Sequence, residues 1–413
     1  MSPPFLDRKC LACGGKHFEL IHENRLAPLD RIDLSTSIGL CVACGQLQAF
    51  HMAPASSYEQ YYRELSKTDH AQTLSKLDEA RIGEAVKFCQ EFGSPGMRVA
   101  DIGCGSGDLL ARLQKDGLLP VLGLDPASGA PSQAQHRFGL QVVEQGFIGD
   151  GMVRLRQTAP DLVFLMAVLE HLCDARSDLE QIAEALKPGA VLVLEVPAIE
   201  GFDPFEGEPL GEFSIEHIQF FSTETLSRLI QSVGLDLIHT RLVNWPNGVG
   251  ASLYAACQRP LRIENTKNRA ALTQHSPTAT RSALLRYVQH SRARLQQCLS
   301  QIPEEGPLVI YGAGAHTARI LPMMAPSMTA RIATIIDGNP NLHGKQIGEF
   351  LVNPPSVLEQ HPNATVVISS YRSQEPIAKA VAHSWSNPVC RLYPSPPLSS
   401  QSASVSGTEY ATA

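Results

Sequence analysis

Residues 97–113 read "MRVADIGCGSGDLLARL". The apolar run ending at Ile102 predicts a buried strand, the glycines a turn, and Leu109, Leu110 and Leu113 one apolar face of a helix. Asp101, Gly103, Gly105 and Gly107 form a D-x-G-x-G-x-G turn. Glycines there let a ligand approach the backbone closely, but a glycine-rich turn alone does not separate one nucleotide cofactor from another. The preceding acid does: Asp101 suits a cationic ligand group and would repel a pyrophosphate.

Working outward, strand patterns recur at "PVLGLD" (120–125), "LQVVEQ" (140–145), "DLVFLMAV" (161–168) and "AVLVLEVP" (190–197). Helical patterns lie between them, such as "ARSDLEQIAEALKPG" (175–189), closed by Gly189. Such alternation predicts an α/β domain whose parallel sheet is covered on both faces, with ligands at the carboxyl ends of the strands. Asp125 ends the second strand, where a carboxylate accepts both hydroxyls of a ribose. "LDLIHTRLV" (235–243) and "ASLYAAC" (251–257) follow without a helix between them and predict an antiparallel edge pair.

Upstream, "CLACGG" places Cys10 and Cys13, and "CVACGQ" places Cys41 and Cys44. Two CxxC pairs supply four thiolates to one tetrahedral zinc, with no coordination position left for catalysis. Gly14 and Gly45 allow tight turns that aim backbone N–H groups at the sulfurs. A thioredoxin-like redox pair needs only one CxxC on a βαβ background, which this segment lacks. Downstream, "PLVIYGAGAHTARIL" (307–321) repeats the strand–turn–helix theme, and Asp337 ends the next strand. Thr317 stands where a dinucleotide fingerprint has its third glycine, so this segment reads as an ancillary Rossmann-like domain.

These segments divide the chain into a zinc module (1–56), a cofactor domain opened by a helical linker (57–260), a helical connector (261–303), a second Rossmann-like domain (304–394) and a tail (395–413). The tail is rich in Ser, Pro and Ala and is expected to lack order. The net charge of -7 argues against nucleic-acid binding driven by bulk charge. No apolar run approaches the roughly 20 residues of a membrane span. The first residues carry no signal-peptide pattern, so a cytoplasmic location is expected.

"DIGCGSG", "GLDP", "DLVFLMAVLEHL" and "LKPGAVLVLEVP" occur in the order found in class I S-adenosylmethionine-dependent methyltransferases, which the sequence resembles over about residues 80–255. The resemblance implies that Asp101, Gly103, Gly105 and Gly107 hold the methionine end of S-adenosylmethionine and Asp125 the ribose. Leu124 and Pro126 would flank the adenosine, and Met166 would line the site. The Glu-His pair in "VLEHL" belongs to a turn common in that family, which implies a scaffold role for His171.

The three-part order also resembles the nucleotide-sugar C-methyltransferases of deoxysugar biosynthesis. That family carries a Tyr-His-Glu-His run before an aromatic-Ser pair. Aligned on "FFS" in "GEFSIEHIQFFS" (211–222), Glu216 and His217 match its Glu-His, while Ser214 and Ile215 replace its Tyr and first His. Tyr254 stands where a later segment of that family has Arg. The resemblance implies methylation at carbon of a nucleotide-linked keto-deoxysugar, a small-molecule substrate. His217 would be the general base and Glu216 a residue that orients it or holds the sugar. Transfer to oxygen or nitrogen of a sugar or related metabolite, and a binding protein that kept the fold without the chemistry, are the alternatives. The sequence says little about oligomeric state.

Overall fold

A computed structural model describes residues 6–64, 74–203, 205–246, 250–261, 278–394 and 406–411. The central sheet runs in chain order through β5 (Arg98–Ile102), β6 (Leu119–Asp125), β7 (Val143–Gln145), β8 (Leu162–Met166), β9 (Val191–Pro197), β11 (Asp236–Asn244) and β12 (Ala251–Gln258). Its spatial order, β11-β12-β9-β8-β5-β6-β7, reverses on either side of β5. Ligands of doubly wound sheets bind at that reversal. Neighbours from β9 through β7 are parallel, and β12 enters antiparallel to both β9 and β11.

The strands are apolar on both faces because both are covered. Ala100, Val163, Leu165, Leu192 and Leu194 pack with α5 (Ile148–Thr158), α6 (Ala175–Ala185) and α7 (Thr223–Ser232). Val99, Phe164, Val193 and Tyr254 pack on the other face with α2 (Lys76–Cys89), α3 (Asp108–Lys115) and α4 (Ala130–Phe138). The expected linker over 57–92 is two helices, α1 (Ala55–Glu64) and α2, and residues 65–73 between them lie outside the described residues.

The second Rossmann-like unit is built on β13 (Leu308–Tyr311), β14 (Ile332–Ile336), β15 (Gln346–Ile347), β16 (Phe350–Asn353), β17 (Thr365–Ile368) and β18 (Val389–Arg391), ordered β15-β16-β14-β13-β17-β18. Helices α9 (Ala315–Ile320), α10 (Pro326–Thr329) and α11 (Gln374–Ser384) accompany it. The helix α8 (Thr278–Leu299) occupies the expected connector, whose residues 262–277 lie outside the described residues. Both Rossmann-like units use one device: Gly105 N–H donates to Asp125 at 2.8 Å and Ala313 N–H donates to Asp337 at 2.7 Å, so an acid ending the second strand pins the glycine-rich turn of the first.

The amino-terminal segment folds as β1 (Leu6–Asp7), β2 (Phe18–Asn24), β3 (Thr36–Cys41) and β4 (Leu47–Met52), and β10 (Gln219–Phe220) of the cofactor domain pairs with β4. It is not a separate body. Ala27 N–H donates to the Ala318 carbonyl at 2.7 Å, and one core joins Ile38 and Leu47 to Phe213, Tyr287 and Ile310. Arg319 reaches from α9 to the carboxylate of Glu208 and the carbonyl of Phe213, clasping the segment that carries Glu216 and His217.

The tail departs from expectation. Residues Ser406–Ala411 form β19, antiparallel to β11. The outer edge of β11 would otherwise present unpaired N–H and C=O groups. A short run containing Thr408 and Tyr410 satisfies them despite the Ser-rich residues before it. Residues 395–405 and 412–413 lie outside the described residues.

Candidate functional site

At the carboxyl ends of β5, β6 and β8 a pocket of about 480 Å³ opens. Gly103, Gly105 and Gly107 all adopt positive φ, which favours glycine. A Cβ on Gly103 would lie 2.2 Å from Val168 Cγ2, whereas one on Gly105 would meet nothing within 4 Å. The turn is therefore tight on the protein side at Gly103 and open at Gly105. Asp125 is shaped by the backbone, with Oδ2 accepting from Gly105 and Oδ1 from Ala127 at 2.9 Å. These two amide contacts fix the orientation of the carboxylate at the end of β6. Leu124, Pro126, Phe147 and Ile148 supply the apolar lining.

Asp101 is 2% exposed, and its Oδ1 is buried without a hydrogen-bond partner. Burial, reinforced by Asp125, pushes its carboxyl up to about 8. A buried acid held this way favours a cation beside it. The glycine cradle, the ribose-height carboxylate and this acid fit S-adenosylmethionine.

Of the expected cofactor residues, Gly103, Leu124, Asp125 and Pro126 line the pocket, and Asp101, Gly105, Gly107 and Met166 stand behind that lining. Side chains alternate along β8, so Leu165 enters the core over α6 while Met166 faces the α2 side. Ala167, at φ 53, then turns the chain so that Ala167 and Val168 line the pocket instead. Tyr58 and Tyr62 of α1 complete it. The sequence pattern passed over them because α1 precedes the glycine-rich turn by some forty residues and carries no motif.

A second cleft, about 780 Å³, lies between the cofactor domain and the carboxyl-terminal unit. Arg81, Glu212, His217, Tyr287, Tyr311 and Arg372 are among its lining residues. Glu216 and His217 separate the two chambers: Glu216 lines the cofactor pocket and His217 lines the cleft. Ser214 Oγ accepts from the N–H of both residues, at 3.3 and 3.1 Å, and so fixes the bend that carries them.

Side chains distant in sequence gather around Glu216 and His217. Tyr61 donates to Glu216 Oε1 at 2.6 Å. The His171 and His217 rings meet edge-on with centroids 4.9 Å apart. A tyrosine from α1 and a histidine from "VLEHL" thus stand beside the Glu-His pair, while Ile215 is core. His171 also lines the cofactor pocket. Tyr254 donates to the Arg81 carbonyl at 3.2 Å. In the β12–β9 register Tyr254 sits opposite Glu195, and Arg81 from α2 binds that carboxylate through three contacts of 2.6–3.0 Å. The guanidinium comes from α2 rather than β12. Burial, with His171 and Arg81 nearby, holds the His217 imidazole well below its usual range and therefore neutral.

At the amino terminus Cys10, Cys13, Cys41 and Cys44 bring all four Sγ atoms within 4.8 Å of one another. Backbone N–H groups of Ala12 and Cys13 point at the Cys10 sulfur, and that of Gln46 at the Cys44 sulfur. Four convergent sulfurs with amide donors behind them are the donor set of a closed structural zinc site. Among the described residues no helix is long and apolar enough to cross a membrane.

Glycine-turn cradle, acid-tipped second strand and the strand order around β5 define an α/β nucleotide-cofactor domain of the class I methyltransferase type. Residues 74–240 match the family described as a methyltransferase domain. The chain is 31% identical over 159 residues to a ubiquinone biosynthesis O-methyltransferase of Leptothrix cholodnii, covering 35% of this chain and 67% of that one. It is 32% identical over 133 residues to a trans-aconitate 2-methyltransferase of Methylobacterium nodulans, covering 31% and 49%. A tRNA U34 carboxymethyltransferase of Desulfotalea psychrophila is 30% identical over 119 residues, covering 27% and 35%. Among solved structures, a 1,6-didemethyltoxoflavin-N1-methyltransferase of Burkholderia thailandensis has a TM-score of 0.39 at 15% identity, covering 53% of this chain and 97% of that one. The chain belongs to the class I S-adenosylmethionine-dependent methyltransferases. It spans about a third to a half of the length of the first curated relatives it matches.

Proposed function

We propose that this protein methylates a small acceptor seated in the cleft between its two Rossmann-like units, and that the acceptor is a nucleotide-linked keto-deoxysugar methylated at carbon. The observation that carries the reading is the wall itself: Glu216 faces the cofactor pocket, and the next residue, His217, faces the cleft. When bound, S-adenosylmethionine supplies an electrophilic methyl group. The chain must align the acceptor and remove its proton. His217, neutral and buried, takes the proton from the carbon beside the carbonyl, and the C–H electron pair moves to the carbonyl oxygen as the enolate. A positioned base of this kind contributes about 10²–10⁴-fold. Glu216, fixed by Tyr61, positions the donor side. Cys10, Cys13, Cys41 and Cys44 hold one structural zinc. Wild-type protein incubated in deuterium oxide with a keto-deoxysugar nucleotide should wash deuterium into the position beside the carbonyl, and with S-adenosylmethionine should methylate it. No exchange and no product across a panel of such nucleotides would refute the reading.

One observation favours a second reading, transfer to oxygen or nitrogen of an acceptor without a diphosphate. Asp203, Glu206, Glu212 and Asp337 line the cleft together with Glu208, which Arg319 holds, and of the lining arginines Arg81 and Arg372 the first is already bound to Glu195. Such a surface repels a pyrophosphate and suits a neutral or amine-bearing acceptor. Competition between sugars with and without the nucleotide separates the two.

A further inference from the structure

Between the two chambers lies a cluster that neither chamber explains. Glu170 is 1% exposed, and neither of its carboxylate oxygens finds a hydrogen-bond partner on another residue. An unpaired buried carboxylate is costly, and chains retain one where something binds it. His171 Nε2 lies 3.7 Å from Glu170 Oε1, too far for a hydrogen bond. His171 Nδ1 lies 3.1 Å from the Glu216 carbonyl and 3.0 Å from the Tyr62 hydroxyl. With Nδ1 donating to that carbonyl, Nε2 presents its lone pair toward Glu170. His217 stands beside His171, the two rings meeting edge-on with centroids 4.9 Å apart. One ligand atom from each of Glu170, His171 and His217 lies within 4.8 Å of the others.

This is the arrangement of a metal site seen from its second layer. Histidines that bind a metal give their other N–H to a carbonyl or carboxylate, which fixes tautomer and ring orientation. Ligand atoms about 2.0–2.2 Å from one ion stand about 3–4 Å apart, close to the separation found here. A carboxylate with two imidazoles suits a divalent transition ion and leaves coordination positions open.

We propose that Glu170, His171 and His217 bind one divalent cation of the manganese-to-zinc series, with open positions toward the cleft that His217 lines. The consequence for chemistry rests on the proposed methyl transfer; the binding does not. With the cation in place, His217 is a ligand rather than a base. An acceptor oxygen at an open position would have its pKa lowered by the ion, which would stabilise the negative charge left there while the proton passes to water in the cleft. The acceptor class that fits is one with a hydroxyl or carbonyl oxygen at or beside the methylated atom. Without the ion, His217 is free to take the proton itself.

Zinc-replete protein titrated with Mn²⁺, with free Mn²⁺ followed by electron paramagnetic resonance, tests the site directly. The thiolates of the amino-terminal cluster are poor ligands for manganese, so they do not compete. Wild type should take up about one Mn²⁺ per chain, and Glu170→Gln and His171→Asn should each weaken that uptake at least about tenfold. His171 is only partly buried, so its variant stands even if Glu170→Gln does not fold. No uptake by wild type, or uptake unchanged in a folded variant, overturns the proposal. Uptake at this site in a protein that methylates no acceptor would sink the proposed function and leave the site standing. Methylation by a protein that takes up no Mn²⁺ would do the reverse.

Discussion

Glu216 and His217 are consecutive in the chain and belong to different chambers. Glu216 accepts a 2.6 Å hydrogen bond from Tyr61 at the cofactor pocket, while the His217 ring stands against His171 and opens onto the interdomain cleft. The bend fixed by Ser214, which accepts from the N–H of both residues, turns the two side chains to opposite sides of the wall between the pockets.

Substitutions at the two positions should therefore part company. His217→Ala should keep S-adenosylmethionine affinity and lose turnover by about 10²-fold or more, the scale for removing a positioned base. Glu216→Gln should act chiefly through cofactor affinity and the Michaelis constant for the cofactor. Calorimetry and steady-state kinetics on both variants check this. An equal loss of cofactor binding in both would show that the wall is one structural unit.

Arg81 and Glu195 lock α2 to β9, with Glu195 only 1% exposed. Arg81→Met strands a buried carboxylate and should cost about 3–5 kcal/mol in urea denaturation. Glu195→Gln added to that background should recover part of the loss, since it removes the orphaned charge. Strict additivity of the two substitutions would show that the pair is not coupled.

Zinc should matter beyond its own knuckles. Arg176 of α6 donates to the carbonyls of Leu11 and Ala12, each at 3.3 Å, and Arg228 of α7 donates to that of Cys44 at 3.3 Å. The cysteine turns are thus seated on the cofactor domain. Elemental analysis should give one zinc per chain. Cys41→Ser should lose it and lower the melting temperature, because metal binding and folding are coupled. A metal-free protein with an unchanged melting temperature would rule this out.

The α/β architecture was legible because a strand buried on both faces, a glycine turn and an amphipathic helix each leave a local pattern. Val99–Ile102 and Leu109–Leu113 carry that pattern within seventeen residues. The site was legible only where it follows from the same local pattern, as at Gly103 and Asp125. Arg81, Glu170 and Tyr61 act through distances that exist only after α1, α2 and the turn after β8 have packed together. Tyr61 and Glu216 are 155 positions apart and share a hydrogen bond. The positive φ of Ala167, which turns the chain at the end of β8 so that Ala167 and Val168 line the pocket, is a backbone feature that no pattern of residue types shows.

The last expectation concerns Asp101. Burial and the neighbouring Asp125 push its carboxyl up to about 8, against about 4 for an exposed aspartate. A carboxyl raised on folding favours the folded state at low pH, and that contribution is lost as pH climbs from about 4 through about 8. The melting temperature of cofactor-free protein should accordingly carry a component that falls over this range, and Asp101→Asn should remove it. At pH 7 the cofactor-free carboxyl is mostly protonated. A cationic ligand group arriving beside it lowers the pKa again, so binding of S-adenosylmethionine at pH 7 should release up to about one proton per chain. Calorimetric titrations in two buffers of different ionisation enthalpy read that release directly. Asp101→Asn should bind more weakly and release none. If the binding enthalpy of the wild type is the same in both buffers, no proton leaves Asp101 on binding, and the coupling between its raised carboxyl and the cationic end of the ligand is absent.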